Sequence, residues 1–423
     1  MNEKKLTTLQ LIGLIVGPIL GSGIILLPPI IYDVTGDYAI ISWMTIMGIN
    51  LYFAFLFGQL SIRFPGSSGV TKAVEIAFGK HLKILASLFL IGAVCFGPIA
   101  VLITAAQFFP LEHPFATHLM TFIFMVLTYL ILLLRVSFIG KIAFLLSSIS
   151  AILLFAGGAT SLVLYPKEKL FSTSFELSSF GFSLLLLFWT IVGWEVIGNY
   201  SSEVKNAKKT IPKAIGFSAL IITLVCLTVA AAIQWSNIPN LSEASSSTVA
   251  SILTPMFGST TGLIIGIIAP GLCLTSVILF IGAAARLIQS LANDNVLPKK
   301  LRYVTKHNVP LGGILVLSAC HLFIFSFVVM DWINVTQIVA IADVFFISNV
   351  LVSMLASIKL FQQKTVNILT GLMVVVLMTF LFFSPPILIA FIALLSLIFI
   401  YKQVRLNLVH SNSQGANVKH LFK

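Results

Sequence analysis

The feature that most constrains this chain is an uncharged stretch near its N-terminus. No charged residue lies between Lys5 and Asp33, so the stretch is long and apolar enough to cross a lipid bilayer. It also collects residues that disrupt helices: Gly17, Pro18, Gly21, Gly23, Pro28 and Pro29. Because glycine destabilises a helix and proline removes a backbone donor, we predict a broken helix, with one half ending near Leu20 and the second starting at Ile24.

Such a break would expose backbone amides in the middle of the membrane. Unwound backbone persists in hydrocarbon only where it is buried in protein or lines a wet cavity. The free amides of Ser22, Gly23 and Ile24 would lie at a helix N-terminus, where the helix dipole favours a carboxylate. The alternative is that Gly21, Ser22 and Gly23 only form a close packing face between two helices. Three small residues in a row beside prolines favour the binding site.

The rest of the chain is equally apolar. Of its 423 residues, 58% are hydrophobic and 9% are charged, whereas soluble domains carry about a quarter charged residues. Uncharged runs of about twenty residues predict an all-α membrane protein with twelve transmembrane helices, near residues 9–32, 39–61, 83–109, 116–134, 141–164, 180–200, 212–235, 261–286, 311–330, 333–358, 366–383 and 386–401.

The basic residues indicate how these helices are oriented. They occur singly at the ends of apolar runs, which the positive-inside rule explains better than nucleic-acid binding does, in spite of the net charge of +12. With both termini in the cytoplasm, only Lys167 and Lys169 of the 25 Lys and Arg residues fall outside. We therefore expect a multi-pass plasma-membrane protein with cytoplasmic termini and no nucleic-acid partner.

The predicted sixth span repeats the peculiarity of the first. Gly193 and Glu195 lie among apolar residues in mid-membrane, and this span runs in the opposite direction to the first. Two interrupted helices, five spans apart and antiparallel, are typical of an inverted repeat with a binding site at the membrane midplane. The predicted parts are two five-helix halves, residues 1–164 and 165–362, then two further helices in 363–403 and a cytoplasmic tail, 404–423.

The two breaks offer complementary charges to a small ligand. The first exposes amides, whereas the outer half of the sixth span, predicted to end near Val192, points its last carbonyls at the same place. Amides bind a carboxylate and carbonyls bind an ammonium group. A free α-amino acid carries both groups and fits such a site.

Two carboxylates lie at bilayer depth, where an ionised group is costly. Glu195 is either a proton carrier in a transport cycle or a structural acid that accepts hydrogen bonds from the amides of its own broken helix. Asp343, in the predicted tenth span, is either a second proton site or gate, or a partner for a hydroxyl such as that of Ser348. The sequence leaves both choices open.

Other polar and aromatic residues favour plain packing. His321 and Cys320 are too few for a metal site, so we predict a core histidine and no metal. The four cysteines lie in different apolar runs, as small core residues do. Trp194 points to a different face from Glu195, and contacts either the pocket or lipid.

Several motifs give the chain a family resemblance. They are Gly21-Ser22-Gly23-Ile24; Phe64-Pro65 through Gly69 with Ala77-Phe78-Gly79; Gly193 and Glu195 followed by Ser202-Glu203, Lys205-Asn206 and Ile211-Pro212; and Ala285-Arg286 with Leu297-Pro298. With them the chain resembles amino-acid permeases of the amino acid–polyamine–organocation (APC) superfamily, particularly the bacterial methionine and branched-chain amino-acid exporters. The resemblance implies a LeuT-like inverted repeat in a bacterial inner membrane.

The resemblance also implies roles for individual residues. The residues that it places at the substrate are Ser22 and Gly23 for the carboxylate, the carbonyls of Ile19, Trp189 and Val192 for the amine, and Phe280 beside the pocket. Its departures from the family pattern fall in cytoplasmic loops, at Ser68, Ala207, Asn293 and Asn295. A lysine that some proton-coupled relatives carry on the fifth span is absent, and Ser150 is near that position, which leaves the coupling ion open.

We expect a secondary transporter that works by alternating access, and not an enzyme. Aromatic residues, with Glu195 as the only nearby acid, suit a neutral apolar amino acid such as methionine, leucine, isoleucine or valine. The resemblance suggests export against proton influx, with uptake or exchange as the alternative and a non-transporting receptor or channel as one from another class. The expected partners are the amino acid, a proton and the bilayer, without a cofactor, and the oligomeric state is open.

Overall fold

A computed structural model describes residues 5–66, 69–109, 114–167, 173–237, 249–305, 307–382 and 384–421, so that Ser68 and Lys169 lie outside the described residues. Regular structure in these ranges is helical, apart from two isolated backbone bridges. Among the described residues, ten helical stretches are long and apolar enough to cross a membrane. The prediction of an all-α membrane protein is therefore confirmed.

The helices follow the apolar runs of the sequence. In chain order they are α1 (Thr8–Leu20), α2 (Gly23–Thr35), α3 (Ala39–Arg63), α4 (Thr71–Phe78), α5 (Lys80–Gln107), α6 (Pro114–Leu132), α7 (Val136–Leu164), α8 (Leu177–Phe188), α9 (Ala207–Trp235), α10 (Thr261–Asn293), α11 (Leu311–Val329), α12 (Val335–Leu360), α13 (Lys364–Leu381) and α14 (Pro386–Leu421). Short 3₁₀ helices and a one-turn helix, Thr254–Phe257, lie between them.

Two of the predicted spans are built from more than one element. The apolar stretch Thr8–Arg63 contains α1, α2 and α3, whereas α8 has only 12 residues and continues into irregular backbone. At the other end of the chain, α14 runs on to Leu421, so the predicted tail continues a helix. The number of spans and their sidedness stay predictions.

Helix α1 lies in the core of the bundle. Thr7 and Gln10 form a capping box that fixes its start, and the Gln10 amide also donates to the carbonyl of Ser137 at 3.0 Å. α1 packs against α7, α9 and α10, and α5 packs against α10 and α12. α13 and α14 are the least buried of the long helices, which places them at the periphery.

One end of the bundle is held shut by contacts to the chain that follows α8. The amide of Leu6 donates to the carbonyl of Glu203 at 2.8 Å, and the amide of Lys205 donates to the carbonyl of Leu6 at 2.9 Å. The side chain of Arg286 on α10 donates to the Glu203 carboxylate at 2.5 Å. Leu6 is fully buried, so the N-terminal segment seals this end.

The helix α4 is tied to α5 and α10 at the same end. Glu75 accepts from Lys72 at 2.7 Å and from Lys83 at 3.1 Å, and Lys83 also contacts Asp294 at 2.5 Å. Burial raises the pKa of Glu75, but the hydrogen bonds and charges of the two lysines outweigh it, so that the pKa lies below its ordinary value. The carboxylate is thus ionised at neutral pH, and its stabilising contribution is lost only as the pH falls through this lowered pKa.

Candidate functional site

The first transmembrane stretch is broken where the sequence predicts. α1 ends at Leu20 and α2 begins at Gly23, one residue before the predicted Ile24. Gly21 has φ +33° and ψ −142°, a conformation that L side chains rarely adopt. α1 and α2 each have 13 residues, or about 20 Å at 1.5 Å per residue. The break therefore lies near the middle of the apolar stretch.

This break frees the groups that the sequence assigned to a ligand. Among the described residues, the amides of Ser22, Gly23 and Ile24 have no hydrogen-bond acceptor, as expected for the first turn of a helix. The freed carbonyl of Pro18 accepts from the hydroxyl of Ser276 on α10 at 2.8 Å. A side chain from another helix thus stabilises the break.

The second break begins earlier than the sequence predicts. α8 ends at Phe188 rather than near Val192. The hydroxyl of Thr190 donates to the carbonyl of Leu187 at 2.6 Å, and the Thr190 amide donates to the same carbonyl at 2.9 Å. A hydroxyl that competes with the backbone in this way disrupts a helix. Gly193 then takes φ +134° and leads into a 3₁₀ helix, Trp194–Glu203.

A cavity of about 430 Å³ lies where the two breaks meet, although only about 30 Å³ of it can hold the centre of a water molecule. It is lined by six residues that the sequence singled out: Ile19, Ser22, Gly23, Trp189, Val192 and Phe280. It is also lined by Pro18, Gly97, Pro98, Val101, Ser276, Val277 and Phe346. None of these described lining residues is charged. The walls lie close together, so a ligand larger than water must separate them.

Three of the predicted site residues do not line the cavity. Gly21 forms the turn beside Ser276, and Ile24 is fully buried behind the first turn of α2. Gly193 lies beneath the cavity wall, since a methyl group at its Cα would be 3.1 Å from Ile19 and 3.7 Å from Phe280. The geometry leaves them backbone roles at the break.

One hydrogen bond joins the two broken helices. The indole of Trp189 donates to the hydroxyl of Ser22 at 3.1 Å. The carbonyls of Ile19, Trp189 and Val192 accept no hydrogen bond from the described part of the chain. Free amides and free carbonyls thus occur on the residues around the same cavity.

We expect Ser22→Ala and Trp189→Phe each to lower the free energy of unfolding by about 1 kcal/mol, the net worth of a typical hydrogen bond. Because both remove one bond, the double variant should lose no more than the larger single loss. The thermal midpoints of the four proteins in one detergent measure this. Additive losses would show that the two side chains act independently.

Glu195 is buried directly behind the second break. One oxygen of its carboxyl group accepts from the Gly193 amide at 3.0 Å, as the structural alternative requires. The other oxygen has no partner among the described residues, and the side chain is fully buried. An unpaired oxygen at this depth is costly for an ionised carboxylate, so the proton-carrier alternative keeps its physical basis.

Asp343 is buried on α12, with a side-chain oxygen that has no partner in the described ranges. The predicted partner is wrong, because the hydroxyl of Ser348 donates to the carbonyl of Val344 at 2.7 Å. Phe346, one helical turn further along α12, lines the cavity. Asp343 therefore follows the cavity wall along α12 without lining it.

Two other residues are resolved by their partners. Trp194 does not face lipid, since it is fully buried and its indole donates to Asn50 on α3 at 2.7 Å. His321 is a core histidine, as predicted, because one ring nitrogen contacts the hydroxyl of Tyr129 at 2.5 Å and the other contacts the carbonyl of Val94 at 2.7 Å. A carbonyl only accepts, so the second nitrogen carries the proton.

Sequence analysis missed part of the cavity wall. Ser276 lies four residues before Phe280, so the two share one face of α10. Gly97-Pro98 on α5 repeats the dipeptide Gly17-Pro18 of α1, which was a usable signal. Phe346 carried none, because its position depends on how α12 packs.

Comparison with known proteins decides the family. A family model described as amino acid permease matches residues 6–414. The chain belongs to the amino acid permease family. The permease is 24% identical over 388 residues to the L-methionine/branched-chain amino acid exporter YjeH of Escherichia coli (strain K12), covering 89% of this chain and 91% of the relative. It is 23% identical over 222 residues to the uncharacterized amino acid permease YecA of Bacillus subtilis (strain 168), covering 51% and 52%.

The family membership confirms the resemblance that the motifs indicated. The permease is a multi-pass protein of the bacterial inner membrane that transports amino acids, and it is not an enzyme. The identity to both relatives is low, so the substrate and the direction of transport do not follow from them.

Proposed function

We propose that the permease exports neutral apolar amino acids, such as methionine, leucine, isoleucine and valine, by alternating access coupled to proton influx. The observation that carries this proposal is the cavity where two broken helices meet, with unpartnered amides on one side and unpartnered carbonyls on the other. The fold proposed with it has twelve spans, an inverted five-plus-five repeat and cytoplasmic termini. In that fold the breaks lie at the membrane midplane.

The two ends of a zwitterion fit the two breaks. The substrate carboxylate would accept from the amides of Ser22, Gly23 and Ile24, at the positive end of α2. The substrate ammonium would donate to the carbonyls of Ile19, Trp189 and Val192. Gly21 and Gly193 supply the backbone conformations that aim these groups. No ionised side chain is needed for either end.

The apolar wall supports a substrate without charge on its side chain. Val101, Val277, Phe280 and Phe346 surround the space beyond the polar groups of the breaks. A cationic or acidic side chain would be desolvated there without a partner, at a cost of several kcal/mol. The relative YjeH carries methionine and branched-chain amino acids in its name, which agrees with this substrate class.

The closed end of the bundle supports an alternating cycle. In the proposed orientation, the contacts of Leu6 and Arg286 with Glu203 close the cytoplasmic side, and the narrow cavity is occluded. Substrate from the cytoplasm would require these contacts to open. Glu195 behind the cavity, with Asp343 as a second candidate, would take up the proton that drives the return.

The experiment that tests the function uses purified permease in proteoliposomes. Unlabelled leucine inside should drive counterflow of labelled leucine, because a transporter exchanges and a receptor does not. In cells preloaded with leucine dipeptide, export predicts net efflux that a deletion strain lacks. Counterflow without net efflux would favour uptake or exchange, and the absence of counterflow for every apolar amino acid would refute the proposal.

Gly97 gives a test of the substrate class. A methyl group at its Cα would lie 3.6 Å from Trp189 and 3.7 Å from Phe346, in ordinary contact, so Gly97→Ala folds and narrows the cavity. We expect the affinity for leucine and methionine to fall about tenfold, as losing roughly one methylene of space does, while alanine is little affected. Competition against labelled leucine measures this. An equal loss for all substrates would mean that side chains do not reach Gly97.

A further inference from the structure

A long apolar groove opens on the membrane-facing side of α1, α7 and α9. Its volume is about 540 Å³, and all but three of its lining residues are apolar. Leu9, Ile152 and Phe217 on its rim are exposed, so the groove opens sideways to lipid. On α7 it extends from Phe144 to Phe155, or about 16 Å at 1.5 Å per residue. That length is roughly half of a bilayer core of about 30 Å, or one leaflet.

One end of this groove carries positive charge on each of its three walls. Lys141 precedes Phe144 by one turn of α7, and Lys213 precedes Phe217 by one turn of α9. Lys5 lies just before α1, whose first residue, Thr8, also lines the groove. The three lysines are exposed, and the ion pairs of the described residues do not include them.

We infer that this groove is a binding site for an anionic phospholipid. One acyl chain fills the space between the three helices, and the phosphate of the headgroup lies among Lys5, Lys141 and Lys213. The length of the groove matches a chain from one leaflet, and its charged end is the end where that leaflet has its headgroups. Exposed lysines beside a spanning helix attract anionic lipid by the same electrostatics.

The site is distinct from the substrate cavity but shares a helix with it. Leu9, Ile12 and Val16 face the groove, whereas Pro18 and Ile19 of the same helix face the cavity. A bound lipid therefore packs against the half-helix that ends at the first break. The inference requires a membrane protein only, and it holds whatever the substrate and direction of transport are.

The headgroup is tested with two lipids that have the same chains. Full-length permease in detergent is titrated with dioleoyl phosphatidylglycerol or dioleoyl phosphatidylcholine, and the thermal midpoint is followed, because bound ligand raises it. Phosphatidylglycerol should saturate at lower concentration. Lys141→Gln/Lys213→Gln should raise its half-saturating concentration about twentyfold, at about fivefold per lysine. Lys300→Gln/Lys364→Gln, two exposed lysines on other elements, is the matched control and should change little.

The groove itself is tested by filling it. Ser148→Trp places an indole in the groove and should abolish the lipid-induced shift, whereas Ile149→Trp, on the adjacent exposed position of α7 outside the groove, should not. Native mass spectrometry of the unaltered protein checks the same selectivity without a variant, as retained phosphatidylglycerol. Equal saturation by both lipids, equal effects of the two lysine pairs, or equal effects of the two tryptophans would overturn the inference.

Discussion

Gly23→Ala should lower leucine binding and transport about tenfold or more. A methyl group at Gly23 would lie 2.8 Å from the Cγ2 atom of Thr190, which is too close for two carbon atoms. Thr190 is held in place by its hydrogen bond to Leu187 at 2.6 Å, so the two broken helices must move apart. Overpacking of this kind costs about 1–3 kcal/mol, and each 1.4 kcal/mol is about tenfold in affinity. Equilibrium binding of labelled leucine to the purified variant measures the loss.

The structure supplies both a rescue and a control for this variant. Thr190→Ser removes the Cγ2 atom and keeps the hydroxyl, so Gly23→Ala/Thr190→Ser should recover most of the binding. Gly48→Ala on α3 adds a methyl group where no atom lies within 4 Å, and should bind as the unaltered protein does. If the double variant binds no better than Gly23→Ala alone, the contact between the two breaks is not what positions the amides.

Glu195→Gln should abolish transport driven by a pH gradient and leave exchange intact. The glutamine oxygen can still accept from the Gly193 amide, which Glu195 accepts at 3.0 Å, so the break keeps its shape. The amide cannot bind and release a proton in the cycle, so coupling is lost. In proteoliposomes, gradient-driven leucine flux should fall to the level of liposomes without protein, while leucine counterflow continues.

Two further variants separate coupling from a general loss of charge. Glu176→Gln, at an exposed acid before α8, should transport like the unaltered permease. Asp343→Asn tests the second buried acid in the same assay. Gradient-driven flux that survives Glu195→Gln and stops in Asp343→Asn would move the proton site to α12, and flux that survives both would remove proton coupling through either acid.

The sequence was most informative where a residue type has only one physical use. Glycines and prolines in an uncharged stretch predict a break, and the break lies at Gly21 and Ser22. The start of the second break was placed too late, because the pattern of apolar residues continues to Val192. The hydroxyl of Thr190, which ends the helix earlier, has no effect on that pattern.

Tertiary contacts explain what the sequence did not predict. Ser276 stabilises the carbonyl of Pro18 from 258 residues away, and a serine on an apolar helix does not announce its partner. Trp194 was compatible with lipid or pocket until Asn50 was found beside it. Buried acids behave alike: Asp343 was matched to a nearby hydroxyl that bonds to its own helix instead. Partners across the bundle follow from packing, which a single sequence does not contain.

The most direct test of the paired helix breaks uses ligands that lack one end of the zwitterion. Labelled leucine bound to the purified permease is challenged with leucine, with leucinol, which has no carboxylate, and with 4-methylpentanoate, which has no amine. All three carry the same apolar side chain. Only leucine should displace the label at comparable concentration, because each analogue leaves one set of buried backbone groups unpaired. Displacement by leucinol or 4-methylpentanoate as effective as by leucine would contradict a site built on free amides and carbonyls.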